Sequence, residues 1–205
     1  MNAPAPRNSV PFLIGSPFEG GFFGGIFNCN GQLYALIVAP KSAGETTSPW
    51  IDDYQAVPGA STYDDGKANT QAMAEAGSAL AKWAQGLDIE GHADWYLPGQ
   101  DELEIIYRNL KPTTQENWQY GRSGINLSAP EPTRPYTPDS PVQTSAIAFQ
   151  AGGEQAFEPK WYWSSTQHAA NSDYAWCQGF NNGNQNIGYT TSKLRARAVR
   201  RLAIS

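Results

Sequence analysis

The chain has 205 residues, with 19 acidic and 14 basic side chains and a formal net charge of -5. This length suits one domain with an embellishment, and a 40% share of hydrophobic residues supplies a core. The negative charge and the lack of a lysine–arginine stripe on any predicted helix exclude non-specific nucleic-acid binding. Aromatic residues reach 12% while charged residues are only 16%, which favours a mixed or all-β fold with large contact surfaces.

The amino terminus predicts neither export nor membrane insertion. Residues 1–7 lack a charged region followed by an apolar run, and no window has the length of a membrane-spanning helix. We therefore expect synthesis in the cytoplasm. Residues 1–19 are rich in Pro, Asn and Ser and predict an extended arm. Such an arm needs a surface to lie on, either in a larger assembly or on its own domain.

Two strands and a hairpin are predicted after the arm. Asn30-Gly31 lies between β-type runs at 22–28 and 32–39, which is the strongest short hairpin signal. Residues 35–39 are apolar throughout, so the second strand is predicted to be central and covered on both faces.

Residues 41–68 are predicted to be loop and contain two aspartate pairs. Paired aspartates can ligate calcium, but neither pair has the spacing of a calcium loop. Solvated turn residues are the favoured interpretation of these four side chains: Asp52, Asp53, Asp64 and Asp65.

Two helices are predicted next. The first is capped by Asn69 or Thr70, ends at Gly86, and has an apolar face at helical spacing. The second covers 100–110 and has acids in its first turn, where they favour the helix dipole. A catalytic role for those acids is the less economical interpretation. The inward-facing residues of the second helix are predicted to be Leu103, Ile106, Tyr107 and Leu110.

Residues 111–160 are predicted to be a long loop within a single domain that covers residues 20–205. This stretch is dense in Pro, Thr, Ser and Gly, and a loop of this length is usually functional or an embellishment. Its predicted apolar anchors are 144–149 and 155–157.

The last fifth of the chain combines an apolar and aromatic frame with a polar-aromatic filling. Strands are predicted at 162–165, 175–180, 185–189 and 194–202, with a hairpin turn at Asn182-Gly183. The last strand is expected to share a sheet with the amino-terminal strands. Tyr supplies rigid contact area and Asn and Ser supply adaptable hydrogen bonds, so the filling indicates a binding surface; solvated loop residues are the alternative.

Several short motifs resemble a known family. Trp95-Tyr96-Leu97-Pro98 followed by Asp101-Glu102-Leu103 resembles a signature of C-type-lectin-like domains of the Lcl C-terminal and formylglycine-generating kind. Residues 162–166, Ala175-Trp176 and residues 197–201 are similar to the carboxy-terminal signature of that family. The opening from Gly24 to Lys41 is similar to bacteriophage and prophage members.

The resemblance implies an α+β, C-type-lectin-like fold, with two helices flanking irregular antiparallel sheets and a long loop insertion. Some relatives are variable proteins of diversity-generating retroelements, in which scattered carboxy-terminal positions change the ligand while the frame is kept. The matching positions here, taken as ligand-binding candidates, are Gln167, His168, Asn171, Asp173, Tyr174, Gln178, Asn181, Asn182, Asn184, Asn186 and Tyr189.

Enzymatic, cofactor and metal functions are not predicted. The residues that follow Glu158-Pro159 and Trp176 depart from the ligand sets of calcium-dependent lectins. Cys29 and Cys177 do not sit where the oxidase relatives have their active-site pair. The two could form a disulfide with each other, but free, partly buried thiols are the favoured interpretation. His92 and His168 have no metal partners at ligand spacing.

These patterns together predict a non-enzymatic phage virion-associated protein, at a tail or capsid surface, that displays a receptor- or ligand-binding surface. A purely structural decoration or tail component is the alternative. The expected location is the virion, and a homo-oligomer is expected. The expected partners are other virion proteins, bound through the arm, and a host surface receptor or another macromolecular ligand.

Overall fold

The part of the chain that the structure describes contains two curled sheets and four α-helices, which confirms the α+β class. The structure is a computed structural model that describes residues 4–118, 121–122 and 125–205. Residues 1–3 of the predicted arm, and 119–120 and 123–124 of the predicted long loop, lie outside this part.

Each of the two sheets combines strands from the amino- and carboxy-terminal parts of the chain. The strands are β1 Pro17–Phe18, β2 Gly21–Cys29, β3 Gln32–Val38, β4 Glu45–Ser48, β5 Trp161–Gln167, β6 Tyr174–Gly179, β7 Gln185–Tyr189, β8 Leu194–Arg197 and β9 Val199–Ala203. The helices are α1 Lys41–Gly44, α2 Gly66–Glu75, α3 Ala79–Gln85 and α4 Gln100–Leu110. The first sheet has the order β1-β2-β3-β9 and the second β4-β8-β5-β6-β7. All pairs are antiparallel except β5 with β8.

The amino-terminal hairpin is confirmed. Asn30 and Gly31 have φ values of 52° and 82°, the left-handed conformations that a two-residue hairpin turn requires. Strand β3 lies between β2 and β9, and its residues from Ala35 to Val38 have no exposed surface. It is therefore central and covered on both faces, as predicted.

The first predicted helix is divided in two. Gly77 adopts a φ of 103°, which ends α2, and the Ser78 side chain accepts a hydrogen bond from the Ala81 N–H to begin α3. The cap of α2 is Asp65 rather than Asn69 or Thr70, which are buried inside the helix. Asp65 also pairs with Arg201 at 3.0 Å, so it is more than the solvated turn residue that was predicted.

The second predicted helix is confirmed as α4, with Leu103, Ile106, Tyr107 and Leu110 in the core. Asp101 and Glu102 in its first turn are buried. The Glu102 carboxylate accepts hydrogen bonds from the N–H groups of Gly99 and Gly66, at 2.6 and 3.0 Å. These contacts join the beginnings of α2 and α4.

The last predicted strand is also divided, because its two halves belong to different sheets. β8 pairs with β4 and β5 in the second sheet, whereas β9 pairs with β3 in the first. Between them, Ala198 exchanges backbone hydrogen bonds with Ala39 and Gly44. The predicted sharing of a sheet by the amino-terminal strands and the chain end is confirmed by the β3–β9 pair.

The long loop is held by buried anchors. In its described residues it contains one short 3-10 helix, Ile147–Phe149, and no β-strand or α-helix. The side chains of Phe149 and Phe157 are buried as predicted. The fully buried Arg197 guanidinium on β8 forms an ion pair with Glu45 Oε2 on β4 at 3.1 Å. It also donates to the Gln155 carbonyl oxygen at 3.5 Å, and this hydrogen bond holds the loop to the two strands.

The predicted arm follows the first sheet. The Ala5 N–H donates to the Ala203 carbonyl at 2.9 Å, and the Ser205 N–H donates to Ala5 at 3.0 Å. The arm's own domain is thus one of the surfaces on which it lies. Cys29 and Cys177 are buried free thiols, as expected. No helix in the described ranges is long and apolar enough to span a bilayer.

Candidate functional site

The predicted ligand-binding positions fall on the end of β5, on β6 and β7, and in the loops between them. Strand alternation divides the β6 and β7 positions between two faces. The pairs Tyr174–Tyr189, Trp176–Ile187 and Gln178–Gln185 lie on one face of the hairpin. Asn186 pairs with Cys177 and lies on the opposite face.

Two predicted positions do not belong to an exposed surface. Gln178 is fully buried, and its amide donates to the Tyr136 hydroxyl and the Gly183 carbonyl. Gln167 is 5% exposed, and it bonds the backbone of Val57, Gln55 and Ser172. Both side chains hold loops to the sheet, and their burial corrects the expectation that these two positions lie on an exposed surface.

A row of partly exposed or exposed side chains, all aromatic except Ile187, crosses the face that carries Tyr174. We call this row the aromatic strip, and it consists of Tyr54, Tyr63, His168, Tyr174, Trp176, Ile187 and Tyr189. Successive residues on one face of a strand are about 7 Å apart, so the strip is long enough for an extended ligand.

One end of the strip is a cluster of three tyrosines. The rings of Tyr174 and Tyr189 stack with centroids 4.6 Å apart, and Tyr54 meets Tyr189 edge-on at 6.2 Å. Tyr54 is 56% exposed and Tyr189 50%. A hydrogen bond with Tyr189 raises the pKa of Tyr174, with smaller contributions from burial and from the charge of Asp173. The three rings form one exposed surface.

The other end of the strip contains Trp176 and, beside it, Arg122, which is ion-paired. The Trp176 ring lies 5.7 Å from His168 and 6.3 Å from Tyr63. Arg122 lies 3.9 Å above the Tyr63 ring and is ion-paired with the buried Asp101. Trp176 Nε1 and His168 Nδ1 are buried, with no hydrogen-bond partner in the described part of the chain.

The buried Trp50 holds one part of the strip in a fixed position. Trp50 is fully buried, donates from Nε1 to the Ser164 carbonyl at 2.9 Å, and bonds through its backbone to Thr190. Thr190 in turn donates its N–H to the Asp173 carbonyl. These bonds fix the segment that carries Tyr54 against the ends of β6 and β7.

The remaining predicted positions are turn residues around the strip. Asn171 accepts from the Asp173 N–H at 3.0 Å, and Asn182 accepts from the Asn184 N–H at 3.2 Å. Asn181 is partly exposed in the turn between β6 and β7. These side chains shape the loops, and Asn171 is exposed.

Sequence reasoning missed several members of the strip. Trp176 and Ile187 carried a signal, because they alternate with Tyr174 and Tyr189 along the two predicted strands. Tyr54 and Tyr63 lie in a stretch predicted to be loop, and only the folded chain brings them to the hairpin.

The carboxyl groups with raised pKa values lie in the core rather than on the strip. Burial raises the pKa of Glu102 to about 7, against the opposing effects of its hydrogen bonds. Burial also raises the pKa of Glu104, which bonds Tyr136 and Asn126. All these partners are structural, so neither carboxyl is placed to meet a substrate at the strip.

A cavity lined by residues of α2 and the Trp95 segment is also separate from the strip. Its volume is about 560 Å³, and its lining includes Lys67, Trp95 and the Asp65–Arg201 ion pair. Within the described residues, no group of three or more His, Cys, Asp or Glu side chains is placed to hold a metal ion.

Comparison with known proteins identifies a family. The chain matches none of the curated proteins compared with it. A family model described as the Lcl C-terminal domain matches residues 45–200, which is well over half of the chain. The matched region runs from β4 into β9 and contains the aromatic strip, whereas the arm and the first hairpin lie before it. The chain therefore belongs to the Lcl C-terminal domain family.

Proposed function

We propose that this chain is a non-enzymatic, phage virion-associated protein whose C-type-lectin-like fold displays the aromatic strip to a receptor or other ligand. The observation that carries the proposal is the exposed tyrosine cluster on a rigid sheet. Tyr54 and Tyr189 each expose at least half of their surface, although burying an aromatic ring is favourable. Exposed rings held in fixed positions suit recognition, because little conformational entropy is lost on binding.

The arm supplies a second, separate surface that suits docking to the particle. Phe12 is 97% exposed and Leu13 is 66% exposed. The arm lies along the first sheet, while the strip lies on the second. Attachment and recognition would therefore use different sheets of the molecule, as a displayed domain requires. The phage assignment itself rests on the sequence resemblance of residues 24–41.

The proposal is tested with particles that carry Tyr174→Ser and Tyr189→Ser together. Both substitutions are on the surface, so particles should assemble normally while adsorption to host cells falls roughly tenfold or more, the loss typical of a recognition hot spot. The matched control is Leu127→Ser with Val142→Ser, which changes side chains that are 78% and 71% exposed away from the strip. Adsorption at the level of the unsubstituted protein would overturn the proposal.

The structural alternative makes the opposite prediction for the same particles. If the strip is buried against neighbouring subunits, the two serine substitutions should reduce incorporation of the chain into particles. Defective incorporation, with the control incorporated normally, would favour a decoration or tail component without a ligand.

A further inference from the structure

We propose, on the basis of the proposed function, that the tyrosine end of the strip binds a basic polypeptide segment of its partner through lysine or arginine side chains. The site consists of the rings of Tyr54, Tyr174 and Tyr189 and the carboxylates that flank them, those of Asp52, Asp53 and Asp173.

The flanking carboxylates have no cation of their own. In the described chain, none of these three aspartates has a basic nitrogen within 4.0 Å. Asp52 and Asp53 are exposed, and Asp173 is partly exposed. Asp53 precedes Tyr54 and Asp173 precedes Tyr174, so the segments that carry the rings also carry the negative charge, and the charge of Asp173 acts on Tyr174.

Exposed acids elsewhere in the described chain, such as Glu131, Asp139 and Glu154, also make no ion pair, whereas several carboxylates that lie against the sheets do. The acids near the sheet ends are ion-paired, in Glu45–Arg197, Asp94–Arg200, Asp65–Arg201 and Asp101–Arg122. Lys193 is nearby in the turn after Thr191, but it makes no ion pair with the three aspartates. The three aspartates on the segments that carry the exposed rings therefore have no ion-pair partner within the described chain.

Rings and carboxylates together favour a cation. The face of a tyrosine ring is electron-rich and attracts ammonium and guanidinium groups. The carboxylates add charge-assisted hydrogen bonds, and the stems of lysine and arginine can cover the apolar ring surface. An anionic ligand would be repelled by the three carboxylates, and a neutral glycan would leave them without a counter-charge.

Calorimetry on the full chain, with an oligo-lysine peptide as the probe, tests this directly. The peptide should bind, and the same peptide with every lysine acetylated should not, because acetylation removes the charge. Asp52→Asn, Asp53→Asn and Asp173→Asn combined should weaken binding roughly tenfold, since each exposed charge pair contributes modestly. The control with equal charge change is Glu131→Gln, Asp139→Asn and Glu154→Gln, which alters exposed acids elsewhere. This control should bind nearly as tightly as the unsubstituted chain.

The contribution of the rings is separated by paired substitutions. Tyr54→Phe with Tyr189→Phe keeps the ring faces and should retain most of the affinity, whereas Tyr54→Leu with Tyr189→Leu should lose severalfold. If the aspartate set and the control set lost equal affinity for the peptide, binding would reflect only a general attraction to an acidic protein, and the proposal would be overturned. Binding of the acetylated peptide or of a neutral glycan, unchanged by the asparagine substitutions, would also overturn it.

Failure here is distinguishable from failure of the proposed function. If basic peptides do not bind but the serine substitutions in the strip still reduce adsorption, the strip recognises a ligand of other chemistry. If adsorption does not depend on the strip at all, the proposed function itself is wrong.

Discussion

At the scale of single residues, Glu102 joins three segments of the chain. Its carboxylate accepts hydrogen bonds from the Tyr96 hydroxyl and from the N–H groups of Gly66 and Gly99. Burial raises its pKa from 4.5 to about 7, so the folded protein holds a proton that the unfolded chain releases. Between about pH 4.5 and 7 the folded state binds more protons, and this contribution to stability therefore falls as pH rises.

Glu102→Gln should remove that pH dependence. The glutamine oxygen can accept from the two backbone N–H groups, and its amide can donate to Tyr96, so the variant resembles the protonated wild type. In urea unfolding across this pH range, the stability of wild type relative to the variant should fall by up to about 3 kcal/mol as pH rises, since one pKa unit is worth about 1.4 kcal/mol. Parallel pH profiles for the two proteins would contradict the assignment.

At the scale of elements, the turn between β6 and β7 is fixed by a glycine packed on a core ring. Gly183 has a φ of 80°, and a Cβ at this position would lie 2.3 Å from Tyr107 Cε1. Gly31 in the amino-terminal hairpin has a similar φ of 82°, but a Cβ there would meet nothing within 4 Å. Comparing alanine substitutions at the two glycines therefore separates the cost of the left-handed backbone from the cost of steric overlap.

Gly31→Ala should cost about 1 kcal/mol from the left-handed backbone alone, and Gly183→Ala should cost a further 1–3 kcal/mol or so from overpacking against Tyr107. Urea unfolding of both variants checks the difference. Equal losses of stability would show that the core tolerates a methyl group at the β6–β7 turn.

Elements with local signals were predictable from the sequence, and those set by distant contacts were not. The Asn30-Gly31 hairpin and α4 follow from turn chemistry and helical spacing, and both are confirmed. The break between α2 and α3 was missed because apolar spacing continues across Gly77. The division at Ala198 was missed because it depends on pairing with two sheets, which a single strand pattern does not encode.

The residues of the candidate site were likewise predictable where a local sequence pattern indicated them, and not where distant contacts place them. The β6–β7 residues of the strip were indicated by strand alternation and residue type. Gln167 and Gln178 were included wrongly as surface residues, because sequence does not distinguish an exposed amide from one that bonds a buried loop. Tyr54 and Tyr63 join the strip only through tertiary contacts such as the bonds of Trp50 with Thr190 and Ser164.

At the scale of the whole molecule, the arm closes the fold by pairing with the chain end. Deleting residues 1–10 removes the backbone hydrogen bonds of Ala5 and Arg7 with Ala203 and Ser205. We expect a loss of about 3 kcal/mol in thermal or urea unfolding, because each of these three bonds contributes about 1 kcal/mol net. The strip belongs to the other sheet, so peptide binding should be retained. Unchanged stability would contradict the pairing of the arm, and lost binding would contradict the independence of the two surfaces.

The central claim is that the strip faces outward while the arm attaches the chain. Hydroxyl-radical footprinting of the assembled particle and of the free chain tests it most directly. The account predicts equal labelling of Tyr54, Tyr174 and Tyr189 in both states, with Phe12 and Leu13 protected only in the particle. Protection of the three tyrosines in the particle would contradict the account, because the strip would then be an assembly contact rather than a recognition surface.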